Sequence, residues 1–181
     1  MERFVAIDVE TTGLSPARGD RVIEVGAVAL EAGEVVGEFV SLVAPGRPIP
    51  HHVSRIHGIT DEMLRGQPRP EEIYPALREF IGGGTLVAHN ARFDLVFLRH
   101  EFGRLGLGLD NSAVCTLMMA RQRLSHLADH RLETVARHLL GGLQVGRLHR
   151  ALDDARLTAR VWEAMTGPRP LSTECISPSE H

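Results

Sequence analysis

Residues 3–13, RFVAIDVETTG, contain the clearest indication of the fold. Its apolar and β-branched residues predict a buried strand over residues 3–9, and two acids lie at the end of that strand. Side chains alternate along a strand, so Asp8 and Glu10 project from the same face, about 7 Å apart. Two carboxylates in this arrangement repel each other unless positive charge lies between them. The stretch therefore predicts a central strand that ends in an acidic pair.

The remaining elements follow from periodicity and turn residues. Two apolar runs, 22–30 and 35–43, are separated by a turn at Ala32-Gly33 and predict an antiparallel meander with the first strand. Residues 45–50 predict a loop, and Thr60 is a suitable N-cap for a short helix that starts at Asp61-Glu62. After this point short strands alternate with helices: strands at 85–88 and 112–115, and helices at 70–81, 91–105, 117–124, 131–140 and 151–165.

This order of elements predicts one α/β domain with a mixed sheet flanked by helices. In such sheets ligands bind at the carboxyl ends of the central strands. In the helix over residues 91–105, four apolar side chains are expected to pack inward: Phe93, Val96, Phe97 and Leu98.

The composition is that of an ordinary globular protein. The chain has 181 residues, 43% hydrophobic and 24% charged, which suits a single domain. No apolar run approaches the roughly 20 residues of a membrane span, and the N-terminus lacks a signal-peptide pattern, so a cytoplasmic location is expected. Two cysteines, Cys115 and Cys175, support neither a disulfide framework nor a cysteine zinc site.

The net charge of −3 does not by itself favour a nucleic-acid partner. Histidines aside, however, all 20 basic residues are arginines, whose forked guanidinium suits phosphate. Acids clustered on divalent cations would also leave the site near neutral. The charge therefore neither supports nor excludes a nucleic-acid substrate.

Two further segments carry acids at the start of helices. In HNARFD, residues 89–94, Asp94 follows a buried strand and falls in the first turn of a helix. In HRALDDA, residues 149–155, Asp154 lies among alanines that allow the helix to approach the sheet closely. Asp154 is therefore expected to point inward and Asp153 toward solvent. Alone, Asp94 is also explained by its favourable interaction with the helix dipole.

Together, the three segments predict a metal site. Burying each carboxylate without a countercharge costs several kcal/mol, and the chain contains no lysine that could pair with them. Hard divalent cations prefer oxygen ligands, so Mg²⁺ or Mn²⁺ fits a site built only of carboxylates. A pair of such cations is a common means of hydrolysing phosphodiesters.

These motifs resemble the DEDDh family of 3′–5′ exonucleases, the family of the proofreading epsilon subunit of bacterial DNA polymerase III. The matching motifs are Asp-x-Glu-Thr-Thr-Gly at residues 8–13, Asn-x-x-Phe-Asp at 90–94 and His-x-Ala-x-x-Asp-Ala at 149–155. The segment from His57 to Glu62 resembles a further family segment. The resemblance spans residues 3–167. It implies an RNase H-like fold, with a five-stranded mixed sheet that contains one antiparallel strand.

The resemblance also implies roles for the catalytic residues. Asp8, Glu10 and Asp154 would hold the first of two divalent cations, Asp8 would bridge to the second, and Asp94 would support the pair. His149 would act as general base near neutral pH. Eight residues would contact the terminal nucleotide: Thr11, Thr12, Gly13, Leu14 (as an apolar wedge), Ile56, His57, Asn90 and Phe93.

The resemblance leaves the substrate and partner open. DNA 3′ ends in proofreading or repair are the first expectation, and RNA or general single-strand trimming is the alternative. A non-catalytic nucleic-acid-binding module is a third interpretation, but all five catalytic positions are filled. The exonuclease domain is expected over residues 1–167 and a flexible tail over 168–181. Polymerase-bound members often carry a longer C-terminal extension, which puts stable association with a polymerase in doubt.

Overall fold

A computed structural model describes residues 2–141 and 150–167. Its centre is one five-stranded sheet in the order β3-β2-β1-β4-β5. β1 pairs antiparallel with β2 and parallel with β4, so β2 is the one strand that runs against the others, as predicted. The strands are β1 (Arg3–Thr11), β2 (Val22–Glu31), β3 (Glu34–Leu42), β4 (Thr85–Ala88) and β5 (Ala113–Cys115).

Seven helices flank the sheet within the described ranges: α1 (His51–His57), α2 (Asp61–Leu64), α3 (Pro70–Ile81), α4 (Ala91–Arg104), α5 (Thr116–Arg123), α6 (Leu132–Leu140) and α7 (Ala151–Thr166). In this part of the chain, no helix is both long enough and apolar enough to cross a membrane. Thr60 accepts a hydrogen bond from the Met63 amide and caps α2, as predicted.

The structure corrects the sequence prediction at two places. Helix α1 was not predicted, because its sequence HHVSRIH has no apolar periodicity, no capping side chain and one buried residue, His57. Val96, predicted to pack inward, is 47% exposed, whereas Phe97 and Leu98 are fully buried. Val96 lies on the side of α4 opposite its buried residues, so it faces away from the sheet.

The two faces of β1 pack against different helices. Val5, Ile7 and Val9 join the main apolar core with residues of α3 and α4. Ala6 joins a smaller cluster with alanines of α7. Because side chains alternate, Asp8 and Glu10 share the α7 face with Ala6. The strand therefore presents its acids to the last helix of the domain.

Helix α7 approaches the sheet at a glycine. Gly26 of β2 lies opposite Asp8 of β1 in the sheet register. A Cβ on Gly26 would lie 2.2 Å from the backbone nitrogen of Leu152 and 2.3 Å from the carbonyl carbon of Ala151. Only a residue without a side chain allows this approach. The first turn of α7 therefore lies directly on the sheet, close to the acidic end of β1.

A separate small cluster attaches the region of α1 and α2 to the sheet. It consists of four buried residues, Ile23, Ile49, Ile59 and Leu64. Only Ile23 belongs to the sheet. The segment around α1 is therefore held by fewer apolar contacts than α4 or α7.

We expect Gly26→Ala to destabilise the protein strongly, because the new methyl group would meet backbone atoms that cannot rotate away. Overpacking of this kind costs about 1–3 kcal/mol or more. In a domain of this size each kcal/mol lowers the melting temperature by roughly 2–4 °C. Thermal unfolding by circular dichroism measures the change. Gly83→Ala is the matched control, because a Cβ there meets open space. Equal melting temperatures for the two variants would contradict this account of α7 packing.

Candidate active site

Three carboxylates meet where β1 ends beneath α7. Asp8, Glu10 and Asp154 each offer a carboxylate oxygen, and these oxygens all lie within 4.8 Å of one another. Asp8 and Glu10 are partly buried, and Asp154 is 9% exposed. Asp153, the next residue in α7, is exposed and pairs with Arg156, as its predicted orientation requires. The close packing at Gly26 thus brings residues from opposite ends of the chain into one acidic cluster.

Asp94 reaches the same region from α4. Its side chain is 3% exposed, and its Oδ1 accepts a hydrogen bond from the Val9 amide at 3.3 Å. The last pairing of β1 with β4 joins Ala6 to Val87, so Val9 lies beyond the end of β4. The Val9 amide therefore has no partner in β4, and Asp94 accepts its hydrogen bond instead. The hydrogen bond fixes Asp94 beside the acidic end of β1.

The turn from β4 into α4 places Asp94. Asn90 caps α4 in the left-handed conformation, with φ of 80°, which asparagine tolerates better than most residues. His89 anchors the turn: its Nδ1 lies 2.9 Å from the Thr116 hydroxyl and its Nε2 2.8 Å from the carbonyl oxygen of His130. Because a carbonyl only accepts, Nε2 carries the proton and Nδ1 accepts. Burial lowers the pKa of His89, consistent with a neutral structural residue.

Glu24 is a buried acid that the sequence prediction missed. It lies opposite Glu10 in the β1–β2 register and is 1% exposed. Its carboxylate accepts two hydrogen bonds from Arg150 Nε, at 3.0 and 3.1 Å, and one from the Ala151 amide at 3.0 Å. Glu24 therefore binds the first turn of α7 and helps to place Asp154. The available signal was an acid in the middle of the apolar strand VIEVGAVAL.

The clustered acids resist ionisation in the absence of a cation. The pKa of Asp8 lies well above its ordinary value, because of burial and then repulsion from Asp94, Asp154, Glu10 and Glu24. Burial and repulsion, first from Asp154, raise the pKa of Glu10 to about 8. Burial raises the pKa of Asp94 to about 7, although the hydrogen bond from Val9 opposes this. A bound divalent cation would therefore favour loss of the proton from each of these carboxyl groups.

The cluster fits a divalent cation. Elsewhere in the protein the buried acids Glu24 and Glu101 are each paired with an arginine. Across residues 2–141 and 150–167, no ion pair joins Asp8, Glu10 or Asp94 to an arginine. Several close carboxylate oxygens form the ligand set that hard divalent cations prefer. The geometry and the charge balance therefore agree with the expected metal site.

A cleft of about 450 Å³ opens beside the cluster and includes Glu10 in its lining. Seven of the eight expected substrate-binding residues line it: Thr11, Thr12, Gly13, Leu14, Ile56, His57 and Phe93. The eighth, Asn90, lines a neighbouring cleft of about 320 Å³ together with Leu14 and Phe93. The expected substrate residues, which come from three separate segments, therefore surround two adjoining clefts.

The two threonines use their hydroxyl groups within the protein. The Thr11 hydroxyl donates to the carbonyl of Gly13 at 2.6 Å, and the Thr12 hydroxyl accepts from the Arg21 amide at 3.0 Å. Thr12 is fully buried. Both side chains therefore stabilise the turn after β1, and contacts from Thr11 and Thr12 to a bound strand would come from their backbone. His149, the expected general base, lies outside the described residues.

We expect the cation-free protein to lose stability as the pH rises from about 6.5 to about 9. The pKa values of Asp94 and Glu10 are higher in the folded protein, about 7 and about 8, than their ordinary values. Their contribution to stability is therefore complete below about pH 4 and is lost as the pH rises through the folded values. Thermal unfolding in chelator measures the effect.

In this experiment Mg²⁺ or Mn²⁺ should restore the melting temperature at high pH, and Asp8→Asn should reduce the pH dependence. Asp153→Asn serves as the control, because this acid is exposed and paired with Arg156. A melting temperature in chelator that is independent of pH between 6.5 and 9 would count against a strained acidic cluster.

Comparison with known proteins agrees with this arrangement. The RNase T family model, described as an exonuclease, matches residues 5–162. The chain is 42% identical over 165 residues to the DNA polymerase III epsilon subunit of Treponema pallidum, covering 90% of this chain and 75% of that protein. It is 39% identical over 160 residues to the PolC-type DNA polymerase III of Clostridium perfringens. That alignment covers 88% of this chain and only 11% of the longer relative.

A solved exonuclease structure is also similar to this chain. Exonuclease X in complex with 5′-overhanging duplex DNA superposes with a TM-score of 0.71 at 29% identity, covering 91% of this chain and 90% of that one. The chain belongs to the exonuclease family that the RNase T model describes.

Proposed function

We propose that the chain is a metal-dependent 3′–5′ exonuclease that releases 5′-mononucleotides from DNA 3′ ends, in proofreading or repair. The observation that carries this proposal is the convergence of Asp8, Glu10 and Asp154 beside a cleft. Family membership supports hydrolysis of nucleic acid ends. The epsilon subunit and the exonuclease X complex, which contains duplex DNA, support DNA as the substrate.

Four carboxylates would hold the cations. Asp8, Glu10 and Asp154, whose carboxylate oxygens lie within 4.8 Å of one another, would hold them, and Asp94 would support them from α4. Bound Mg²⁺ or Mn²⁺ would neutralise charge that develops on the phosphoryl group and lower the pKa of the attacking water. Asp8 and Glu10 give up their protons when the cations bind, which resolves the repulsion described above.

His149 is proposed as the general base on the basis of its motif. It precedes Asp154 by five residues in the sequence. A histidine with an ordinary pKa of about 6.5 accepts a proton near neutral pH. In the proposed step an imidazole nitrogen of His149 takes a proton from the attacking water. The new P–O bond forms as the bond to the 3′ oxygen of the preceding nucleotide breaks, which releases a 5′-mononucleotide.

The cleft beside the cluster suits the last nucleotide of a strand. Its lining combines apolar surface from Ile56 and Phe93 with the backbone of the turn after β1. Ile56 is 61% exposed, so its apolar side chain is available to a base. Apolar side chains can contact any of the four bases. This suits an enzyme that removes every nucleotide in turn.

The proposed partner, besides a DNA 3′ end, is a DNA polymerase catalytic subunit. One group of relatives consists of epsilon subunits of DNA polymerase III, and another of much longer PolC-type polymerases. A role in replication or repair would place the protein in the cytoplasm, and this location is part of the proposal.

We expect Asp8→Ala and Asp154→Ala to lower the rate of 3′-end degradation by about three orders of magnitude or more, because each removes a ligand of the hydrolytic cations. Their melting temperatures should not fall, because site carboxylates that repel each other do not stabilise the fold. A 5′-labelled single-stranded oligonucleotide with Mg²⁺ or Mn²⁺ reports the rate. Asp153→Ala, at the exposed neighbouring position, should retain wild-type activity. Full activity of Asp8→Ala, or of the wild type in chelator, would rule out the metal-dependent mechanism.

The choice of substrate is tested by direct competition. We expect 3′-mismatched duplex DNA and single-stranded DNA to be degraded faster than fully paired DNA, because opening a matched terminal pair costs a few kcal/mol. Short RNA of the same sequence should be degraded more slowly than DNA. A preference for RNA would favour the alternative function, an exoribonuclease or general trimming nuclease.

A further inference from the structure

Leu14 stands at the tip of an exposed loop between the two clefts. Residues 13–20, here called the wedge loop, connect β1 to β2. Leu14 is 86% exposed and lines both the cleft of about 450 Å³ and the neighbouring cleft of about 320 Å³. It is the most exposed large apolar side chain in the described part of the chain. A leucine in this position adds nothing to the core, but it contributes apolar surface to both clefts.

The base of the wedge loop is closed by hydrogen bonds. The Thr12 amide donates to the carbonyl of Arg21 at 2.8 Å, and the Arg21 amide donates to the Thr12 hydroxyl at 3.0 Å. Arg21 in turn donates two hydrogen bonds to the buried carboxylate of Glu101 in α4, at 2.6 and 2.7 Å. The two ends of the loop are therefore joined to each other and to α4.

Within the loop, Asp20 folds the chain back on itself. Its Oδ2 accepts a hydrogen bond from the Ser15 amide at 3.0 Å. A Cβ on Gly13 would lie 2.4 Å from the same oxygen, so the carboxylate lies directly against the backbone at Gly13. Asp20 thus fixes the residues on both sides of Leu14.

Arg47 supports the wedge loop from outside. It comes from the segment between β3 and α1, and its Nη1 donates to the carbonyls of Gly19 and Arg18. Its Nη2 lies 3.6 Å from Asp20 Oδ1. Gly19 has φ of 83°, and a Cβ there would lie 2.8 Å from Arg47 Nη1. The backbone at Gly19 is thus shaped to receive the guanidinium group.

We propose that Arg47 and Asp20 are positioning residues that hold Leu14 between the two clefts and so set how well the enzyme opens paired 3′ ends. This inference rests on the proposed exonuclease function. The side chain of Arg47 is 39% exposed and that of Asp20 is 15% exposed, and such a surface pair contributes little to global stability. Ordering an exposed loop costs conformational entropy. The bracing contacts are therefore better explained by a need to hold Leu14 in place.

The effect should depend on the substrate. A base that leaves its pair and its stack loses contacts worth a few kcal/mol, and apolar contact with Leu14 offsets part of that cost. A loosely held Leu14 offsets less of it. The terminal base of a single strand needs no unpairing. Loss of bracing should therefore slow degradation of paired ends much more than degradation of single strands.

The test measures kcat/KM on a fully paired duplex and on the single strand of the same sequence. We expect Arg47→Ala and Asp20→Ala each to lower the ratio of paired-end to single-strand kcat/KM about tenfold, with single-strand kcat/KM within about threefold of wild type. Arg78→Ala is the control, because Arg78 is an exposed arginine on α3 that lines neither cleft. Amide hydrogen exchange should quicken at Ser15 and Asp20 in both bracing variants.

Arg47→Ala and Asp20→Ala together distinguish a positioning role from simple attraction between Arg47 and the phosphates of the substrate. Arg47→Ala removes a positive charge and Asp20→Ala a negative one, so charge attraction predicts opposite effects on activity. Bracing predicts the same loss of selectivity in both. If it acts through Leu14, Leu14→Ala/Arg47→Ala should show no lower ratio than Leu14→Ala alone. Opposite effects, or full additivity in the double variant, would overturn the inference.

Failure of this inference differs from failure of the proposed function. If the wild type does not degrade 3′ ends in Mg²⁺ or Mn²⁺, the proposed function is wrong. If the wild type degrades them and both bracing variants keep the wild-type ratio, only the positioning role is wrong. Melting temperatures close to that of the wild type show that the variants are folded.

Discussion

The close packing of α7 on β2 is the constraint on which the acidic cluster depends. Gly26 allows the backbone of Ala151 and Leu152 to lie against the sheet. Glu24, two residues earlier, binds the first turn of the same helix through Arg150 and the Ala151 amide. One glycine and one buried acid on a single strand therefore set the height and the start of α7, and with them the position of Asp154 over β1.

The protein treats its buried acids in two ways. Glu24 and Glu101 each receive forked hydrogen bonds from an arginine, and both hold structural elements together. The acids at the end of β1 receive no arginine partner in the described ranges, and their pKa values are raised. The contrast follows from function, because a permanent arginine would occupy the place of a cation. Repulsion among the acids at the end of β1 is thus the cost of leaving a site that a cation can occupy.

Much of the fold and the cluster could be predicted from the sequence because the signals are local. Strand alternation placed Asp8 and Glu10 on one face, and the alanines around Asp154 indicated close helix packing. Glu24 was missed because its partner Arg150 is 126 residues away in the chain. Arg47 was missed for a similar reason: it supports a loop from a segment that reads only as a proline-rich connection. Helix α1 has Gly58 as its C-cap, but it lacks a capping side chain at its N-terminus and a regular apolar face, so these local signals were too weak to predict it.

The two sides of the main cleft are attached to the rest of the fold with different strength. On one side, the salt bridge between Arg21 and Glu101 joins the loop after β1 to α4, which carries Phe93 and Asp94. On the other side, Ile56 and His57 belong to a seven-residue helix held near the sheet by a cluster of four apolar residues. Weakly packed elements deform at lower cost than those tied into a core. Under the proposed function, adjustment of the cleft to bases of different size would therefore fall to α1, while the acids opposite would keep their spacing.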